Sequence, residues 1–232
     1  MSAVLAIDSS TRNAWVAVER DGRIAAQESV TAQANASSAL LPAVDRAVRA
    51  AGLAPADVGA VVVGGGPGSF TGLRIAAATA KGIVRALGVP LFAYSGLLGL
   101  AAAYRDGGGA VCALFDARNN EVYAGCWRFA GDGVEEILPL QALAIDLLVE
   151  RLHGADVRFV GEGAALHRPA LEAGFGTAAV VLEERSPAAG LLWLARTVPE
   201  RGRVADAPGW EPEYVRAAGV ERIAAAAAKG AP

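Results

Sequence analysis

The sequence has 232 residues, enough for one large domain or for two domains of roughly 100 residues each. Although 53% of the residues are hydrophobic, no apolar run approaches the roughly 18 residues that a membrane span requires. The first residues also lack the basic leader of a secretory signal, so we expect a soluble, cytoplasmic protein with no membrane partner. A formal net charge of −3 argues against a protein that grips a phosphate backbone alone, and any RNA would be bound indirectly, through another subunit.

Strands and helices alternate through the first hundred residues. Two short apolar runs separated by a polar turn predict an initial strand pair, and Asp21-Gly22 predicts a hairpin into a third strand. Apolar residues at helical spacing predict helices that end at Gly52 and Gly88, and Ser95 is placed to cap a third helix. In chain order, the predicted strands cover residues 4–7, 14–18, 23–30, 60–63 and 89–94, and the predicted helices cover residues 40–51, 71–87 and 95–104.

The loop at residues 105–109 is the best candidate for a domain boundary, because several consecutive residues there have no side chain to pack. After this loop the earlier pattern starts again. AIDSSTRNAWVAV at residues 6–18 and ALFDARNNEVYAGC at residues 113–126 both read as apolar strand, aspartate, polar turn and apolar strand. The aspartate and the aromatic residue of the next strand have the same spacing in both copies, Asp8 with Trp15 and Asp116 with Tyr123.

This repetition predicts two duplicated lobes. We place an N-terminal lobe at residues 1–105, a C-terminal lobe at residues 106–220 and a flexible tail at residues 221–232, where the sequence is alanine-rich and of low complexity. In the second lobe, a mixture of strand and helix continues through residues 157–161. Further helices are predicted near residues 164–173 and 187–198.

The segment GGGPGSFTGLRI at residues 64–75 is the strongest local signal, because it joins a predicted strand to a predicted helix. Its glycines would let backbone amides approach a ligand, its hydroxyls add hydrogen-bonding groups, and the start of the helix favours an anion. It matches neither a Walker P-loop nor a dinucleotide-binding GxGxxG. A tight turn that binds nothing is the alternative interpretation. The candidate nucleotide- or anion-binding residues in this segment are Gly66, Gly68, Ser69, Thr71 and Gly72.

Two polar turns supply the remaining candidate nucleotide- or anion-binding residues. Asp8, Ser9 and Ser10 follow the first strand and could hold a metal-bound phosphate or a water, although a turn-forming aspartate is the alternative. Asp116 and Arg118 occupy the corresponding turn of the second lobe, for which a solvated hairpin is the alternative. We predict no catalytic residue and no metal site in this chain.

The histidines and cysteines give no sign of catalysis. His153 and His167 lie in unrelated surroundings, and neither has the neighbours of a metal site or of an activated nucleophile. Cys112 and Cys126 match no zinc or redox spacing, and we expect them to be reduced structural thiols.

Two predicted helices carry small residues and cations on one face, a pattern suited to close contact with another helix. An ordinary exposed face is the alternative. The candidate partner-interface residues are Ala39, Ala43 and Arg46 on the first helix, and Arg74, Ala78, Lys81 and Arg85 on the second.

Five segments that span nearly the whole chain carry a resemblance to a known family: AIDSST (6–11), LLP (40–42), GPGSFTGLRI (66–75), DARNNEVY (116–123) and PEYVR (212–216). In these segments and in their order, the chain resembles the TsaB (YeaZ) family of tRNA threonylcarbamoyladenosine biosynthesis. The resemblance implies an α/β actin-like ATPase fold (ASKHA, ribonuclease H-like) with two duplicated lobes.

The resemblance also implies a function and a set of partners. Such a subunit has no catalysis of its own and supports the paralogue TsaD, which transfers threonylcarbamoyl to adenosine 37 of tRNAs reading ANN codons, together with the ATPase TsaE. In the family, the first two helices contact either TsaD or a second copy of the subunit, which favours the interface interpretation above. The chain itself would need no cofactor, and ATP or ADP is the candidate nucleotide at the partner interface.

Two comparisons with the family bear on catalysis. The HxxxH metal motif of TsaD-like proteins would fall near Gly96 and Leu100, where this chain has no metal-binding side chain. Many members of the family have a histidine just before the LLP segment, about where this chain has Ala36. After LRI the family usually has a glycine, where this chain has Ala76. The first turn also lacks the glycine of a DxGT phosphate loop. The competing hypothesis is an actin-like ATPase or kinase that uses Asp8 and the loop at residues 66–72.

Overall fold

Two mixed β-sheets form the framework of this computed structural model, which describes residues 3–31 and 36–215. The predicted tail at residues 221–232 and the last residue of the PEYVR segment lie outside the described residues. The first sheet has the order β3-β2-β1-β4-β5, in which β2 and β3 form an antiparallel meander with β1 while β4 and β5 run parallel to it. Its strands are β1 (Ala3–Asp8), β2 (Asn13–Arg20), β3 (Arg23–Thr31), β4 (Val58–Gly64) and β5 (Leu91–Tyr94).

The second sheet repeats this topology. Its order is β8-β7-β6-β9, again with an antiparallel meander followed by a parallel strand. A single parallel bridge between Phe159 and Val180 stands where the fifth strand would lie. The strands are β6 (Ala110–Asp116), β7 (Glu121–Ala130), β8 (Gly133–Ala144) and β9 (Val157–Val160). The predicted duplication is therefore confirmed in the order of the strands.

Helices pack on the outer face of each sheet and between the two sheets. The helices are α1 (Ala36–Ala50), α2 (Phe70–Leu87), α3 (Gly96–Ala103), α4 (Ile145–Leu152), α5 (Glu162–Leu166), α6 (Arg168–Phe175), α7 (Pro187–Thr197) and α8 (Pro199–Gly202). Helices α1 and α2 pack on the outer face of the first sheet, and α4 and α6 pack on the outer face of the second. Within the described part of the chain, none of these helices combines the length and the apolar character needed to cross a membrane.

Helices α3 and α7 lie between the two sheets and exchange partners. Helix α3 follows the first sheet but packs on the second, whereas α7 follows the second sheet and packs on the first. They meet at Gly99 and Gly190, each the fourth residue of its helix, and a Cβ on Gly190 would overlap the carbonyl oxygen of Gly99. The division of the chain into lobes at residues 105 and 106 stays a prediction.

Several local predictions are confirmed and some details differ. As predicted, α2 ends at Gly88, in a left-handed conformation, and Ser95 caps α3 through a hydrogen bond from the Leu98 N–H to its Oγ. Ser69, which was not predicted as a cap, accepts a hydrogen bond from the Gly72 N–H at the start of α2. The single helix predicted near residues 164–173 is two helices, because Pro169 in the first turn of α6 has no N–H to continue α5. Helix α4 and strand β8 fall in the region where a mixture of strand and helix was expected without bounds, and Ile145, Leu148 and Leu152 recur at helical spacing in α4. In the repeated turns, Asp8 lies opposite Trp15, but Asp116 lies opposite Val122, one residue out of the register of the first lobe.

Candidate functional site

The glycine segment lies directly on the turn that follows β1. A Cβ on Gly64 would overlap the Asp8 carboxylate, and one on Gly72 would overlap the Ser9 carbonyl oxygen. A Cβ on Gly68 would likewise overlap the Ser10 carbonyl oxygen, which accepts a hydrogen bond from the Ser69 N–H at 2.7 Å. The glycines are therefore needed for close approach of two backbone segments.

Asp8 lies at the centre of this contact and has no exposed surface. Its Oδ1 accepts a hydrogen bond from the Ser10 N–H at 3.0 Å, and its Oδ2 accepts one from the Ser10 hydroxyl at 2.9 Å. Burial raises the pKa of Asp8, and the two hydrogen bonds from Ser10 oppose that shift. Gly96 closes the remaining side, because its Cβ would lie 2.8 Å from Asp8 Oδ2. In this arrangement the carboxylate does not line the surface of the cleft, and a role in binding a metal-bound phosphate stays a prediction.

A cleft of about 1100 Å³ opens between the two lobes above this contact. The glycine segment and both strand-end turns reach it, together with the connection between Val180 and α7. Its charged lining residues are of both signs: Arg12, Arg118 and Arg185, with Asp116, Glu162, Glu183 and Glu184. A cleft of this size and mixed polarity can enclose a small polar ligand.

The turn of the second lobe has a strained backbone. Asp116 Oδ1 accepts a hydrogen bond from the Arg118 N–H at 2.7 Å, as Asp8 does from Ser10 in the first lobe. Arg118, Asn119 and Asn120 all have left-handed φ angles, of 64°, 54° and 60°. A left-handed conformation costs an arginine of order 1 kcal/mol, whereas asparagine adopts it more readily.

The predicted nucleotide- or anion-binding residues fall into two layers. Asp8, Ser9, Gly66 and Gly72 are buried beneath the floor of the cleft and do not line it. The other six line the cleft: Ser10, Gly68, Ser69, Thr71, Asp116 and Arg118. A ligand in the cleft would therefore reach only the second layer, and ligand binding by these residues stays a prediction.

Sequence reasoning missed one wall of the cleft, formed by the connection before α7. Asn13 Nδ2 donates a hydrogen bond to Glu184 Oε1 at 3.1 Å, which links the first turn to this connection. Arg185 Nη1 donates to the Ala103 carbonyl at 3.0 Å, and its guanidinium lies 4.9 Å from the centre of the Tyr104 ring. The charged run EER before a proline was the only signal in the sequence, and it is typical of any exposed loop.

A second surface is formed by the outer faces of α1 and α2. Leu41 is 57% exposed there, which is unusual for a large apolar side chain. Ala78 and Arg85 on α2 are also exposed, and Ala39 is half-buried. Arg46 is exposed and pairs with Glu28 at 3.1 Å. Ala43, by contrast, is completely buried in the core and does not lie on this surface, because it is on the side of α1 that faces the first sheet.

The chain returns to α2 after α8, in a segment that we call the C-terminal strap (residues 203–215). The strap begins beside β5, where the Val204 N–H donates to the Leu91 carbonyl at 3.0 Å. It then crosses the glycine segment, where the Glu213 N–H donates to the Gly65 carbonyl at 2.7 Å. Trp210 packs on the core of the first lobe. The strap was not predicted, because it lacks both the periodicity of a helix and the alternation of a strand.

The strap also contacts two of the predicted interface cations, Arg74 and Lys81. Arg74 Nε donates to the Tyr214 hydroxyl at 3.4 Å, and Lys81 Nζ donates to the Pro208 carbonyl at 2.9 Å. The Arg74 guanidinium lies 3.9 Å from the centre of the Phe70 ring, which in turn lies 5.1 Å from the ring of Tyr214.

The cysteines and histidines occupy separate environments. Cys112 and Cys126 lie opposite each other on β6 and β7, both buried and not disulfide-bonded. Burial and the neighbouring Cys126 raise the pKa of Cys112. His153 is exposed, and the Nε2 of His167 is buried without a hydrogen-bond partner. Among residues 3–31 and 36–215, no group of three or more potential ligands is arranged to hold a metal ion.

The duplicated sheets, the exchanged helices and the cleft between them define an actin-like ATPase (ASKHA) fold with two lobes. Component A of (R)-2-hydroxyglutaryl-CoA dehydratase from Acidaminococcus fermentans shares this fold at 13% identity, with a TM-score of 0.51 over 83% of this chain and 96% of that one.

Similarity at the level of sequence identifies the family. The chain is 32% identical over 222 residues to the tRNA threonylcarbamoyladenosine biosynthesis protein TsaB of Bacillus subtilis, covering 94% of this chain and 96% of that protein. A crystal structure from Pseudomonas aeruginosa, described as an uncharacterized protein with similarity to peptidase YEAZ, is 33% identical. Its TM-score is 0.76 over 93% of this chain and 100% of that one. The family model "TsaD: tRNA N6-adenosine threonylcarbamoyltransferase" matches residues 29–189. This chain belongs to the TsaB (YeaZ) family.

Proposed function

We propose that this chain is the non-catalytic scaffold and activating subunit of the complex that forms N6-threonylcarbamoyladenosine at position 37 of tRNAs reading ANN codons. Its proposed partners are the catalytic subunit TsaD and the ATPase TsaE, with tRNA bound indirectly through the complex. The names of the Bacillus subtilis relative and of the matching family model support this pathway.

The observation that carries the proposal is the closure of the glycine segment over Asp8. An ATPase of this fold needs a carboxylate that can reach a metal ion or a water in the cleft. Here the carboxylate has no exposed surface, and both of its oxygens accept hydrogen bonds from Ser10. The glycine segment thus serves to pack the start of α2 against the turn that follows β1. The part of the first lobe left exposed to a partner is the surface of α1 and α2.

The exposed face of α1 and α2 is the proposed contact with TsaD. Leu41 supplies an exposed apolar side chain, and Ala78 lets another backbone approach closely. An apolar centre with a polar rim is typical of protein interfaces. The same face would serve a homodimer when TsaD is absent, so the two assemblies compete.

Charge substitutions on this face provide the test. We expect Leu41→Glu and Ala78→Glu to weaken the binding of full-length chain to TsaD at least about tenfold, because each places a carboxylate in a contact that excludes water. Leu147→Glu is the matched control, since Leu147 is 38% exposed on α4 of the second lobe. Binding would be measured by isothermal titration calorimetry, and unchanged affinity in both interface variants would refute the assignment of this face.

A second candidate function is an actin-like ATPase or kinase that uses Asp8 and the loop at residues 66–72. The volume of the cleft and the hydroxyls of Ser69 and Thr71 at its edge favour a nucleotide there. This function requires the purified chain to release phosphate from Mg-ATP and to lose that activity in Asp8→Ala. The scaffold function instead requires no activity in the isolated chain and leaves ATP or ADP to the interface with the partner.

A further inference from the structure

One face of α2 carries five residues spaced one helical turn apart: Phe70, Arg74, Ala78, Lys81 and Arg85. The C-terminal strap runs beside this line in the opposite direction. Pro208 of the strap contacts Lys81, and Tyr214 contacts both Arg74 and Phe70. The surface available to a partner is therefore built from α2 and the strap together. We call its three cations, Arg74, Lys81 and Arg85, the basic stripe.

Within residues 3–31 and 36–215, no carboxylate forms an ion pair with the basic stripe. Arg74 donates to a phenol hydroxyl and Lys81 to a backbone carbonyl, both of which are uncharged. Arg85 is exposed, and no carboxylate of the described residues lies within 4.0 Å of the three cations. Arg46 on the neighbouring helix differs, because it pairs with Glu28. Three cations on one helix with no ion pair in the described part of the chain are notable in a protein with a net charge of −3.

The strap restricts the positions of two of these cations. The Arg74 guanidinium is held between the Phe70 ring, 3.9 Å from its centroid, and the Tyr214 hydroxyl. The Lys81 ammonium is held by the Pro208 carbonyl at 2.9 Å. Long cationic side chains normally lose conformational entropy when they enter an interface, and holding them in advance reduces that loss.

We propose that the strap positions Arg74 and Lys81 so that, with Arg85, they present a fixed basic stripe to carboxylates of the catalytic partner. This inference rests on the proposed function, because it takes α2 as the docking face for TsaD. The matching surface of the partner carries acidic side chains beside an apolar patch, since exposed Ala78 lies within the stripe and exposed Leu41 lies on α1. An RNA backbone is a poorer fit, because three cations on an acidic protein neutralise few phosphates.

The first test measures the affinity of full-length chain for TsaD at 50 and 300 mM NaCl, by isothermal titration calorimetry. We expect Arg74→Gln, Lys81→Gln and Arg85→Gln each to weaken binding roughly two- to fivefold at low salt and to reduce its salt dependence. Arg20→Gln is the matched control, because Arg20 is an exposed arginine at the end of β2 and outside the stripe.

The second test asks whether Tyr214 acts through Arg74. Tyr214→Phe removes the hydroxyl that accepts from Arg74 and keeps the ring that packs on Phe70. Tyr214→Phe should weaken binding to TsaD in the wild-type background. It should have no further effect in the Arg74→Gln background, because the hydroxyl of Tyr214 acts only by positioning Arg74. Thermal unfolding of each variant, measured in parallel, separates this effect from a loss of stability.

The outcomes distinguish this inference from the proposed function. Normal affinity in all three stripe variants, together with lost affinity in Leu41→Glu, overturns the stripe and leaves the docking face intact. Normal affinity in the stripe variants and in both Leu41→Glu and Ala78→Glu overturns the stripe and the docking face together. Stripe variants that bind TsaD normally but no longer retain tRNA in a gel-shift assay overturn the inference in favour of an RNA contact. Additive effects of Tyr214→Phe and Arg74→Gln overturn the role of the strap.

Discussion

Gly72 and Gly82 lie on the same helix and should respond in opposite ways to replacement by alanine. Gly82 is exposed, and a Cβ there would have no neighbour within 4 Å. Gly82→Ala should therefore stabilise the chain by about 1 kcal/mol through helix propensity. A Cβ on Gly72 would overlap the Ser9 carbonyl oxygen and lie 3.2 Å from the carbonyl carbon. Because these are backbone atoms, no side-chain rotation relieves the clash, and Gly72→Ala should cost about 1–3 kcal/mol.

Thermal unfolding followed by circular dichroism would measure both effects. For a chain of this size, 1 kcal/mol corresponds to roughly 2–4 °C in Tm. We therefore expect Tm to rise by about 2–4 °C in Gly82→Ala and to fall by about 2–12 °C in Gly72→Ala. Urea titrations would show whether the change in Tm reflects a change in the free energy of unfolding. A Gly72→Ala protein as stable as Gly82→Ala would refute the close contact between the glycine segment and the first turn.

Three further predictions concern the buried contacts. Gly64→Ala should cost less stability in an Asp8→Ala background than in the wild type, because its Cβ overlaps the Asp8 carboxylate; equal costs in urea titrations would contradict that contact. Since burial raises the pKa of Asp8 above 3.8, ionisation opposes folding as pH rises from that value through the raised pKa. The Asp8→Asn protein should therefore become more stable relative to wild type as pH rises across that window. A difference in the free energy of unfolding that does not change with pH would contradict the raised pKa of Asp8. Gly190→Ala should lower Tm through its overlap with the Gly99 carbonyl, whereas Ala189→Ser on the same helix should change Tm by no more than about 2 °C; similar values of Tm would contradict the close packing of α3 and α7.

The local structure of the first lobe could be predicted well because its signals are local. Gly88 and Ser95 mark helix ends by their own backbone and side-chain chemistry, and each lies where it was expected. The repeated strand, aspartate and turn pattern also predicted the duplication of the sheets.

The arrangement of the lobes could not be predicted in the same way. Helices α3 and α7 are apolar on nearly all sides because they lie between two sheets, so their sequences do not indicate which sheet each one contacts. The turn after Asp116 has left-handed residues at 118–120, a conformation that an arginine rarely adopts and that the sequence did not indicate. Contacts between residues that are far apart in the sequence leave no pattern in the short segments from which helices and strands are predicted.

The glycine segment shows why residue type alone did not decide the site. Glycines beside hydroxyls are compatible with a phosphate cradle and with close packing of two backbones. Only the position of the Asp8–Ser10 turn beneath the segment distinguishes these possibilities. The strap was missed for a related reason, since Trp210 and Tyr214 gave no hint of contacts with a helix more than one hundred residues earlier.

Reconstituted threonylcarbamoyl transfer to tRNA, with TsaD and TsaE present, tests the scaffold function most directly. The scaffold function predicts that transfer requires this chain, that Asp8→Asn supports transfer as well as the wild type, and that Leu41→Glu does not support it. Loss of transfer in an Asp8→Asn protein that still binds TsaD would contradict the scaffold function and assign chemistry to this chain.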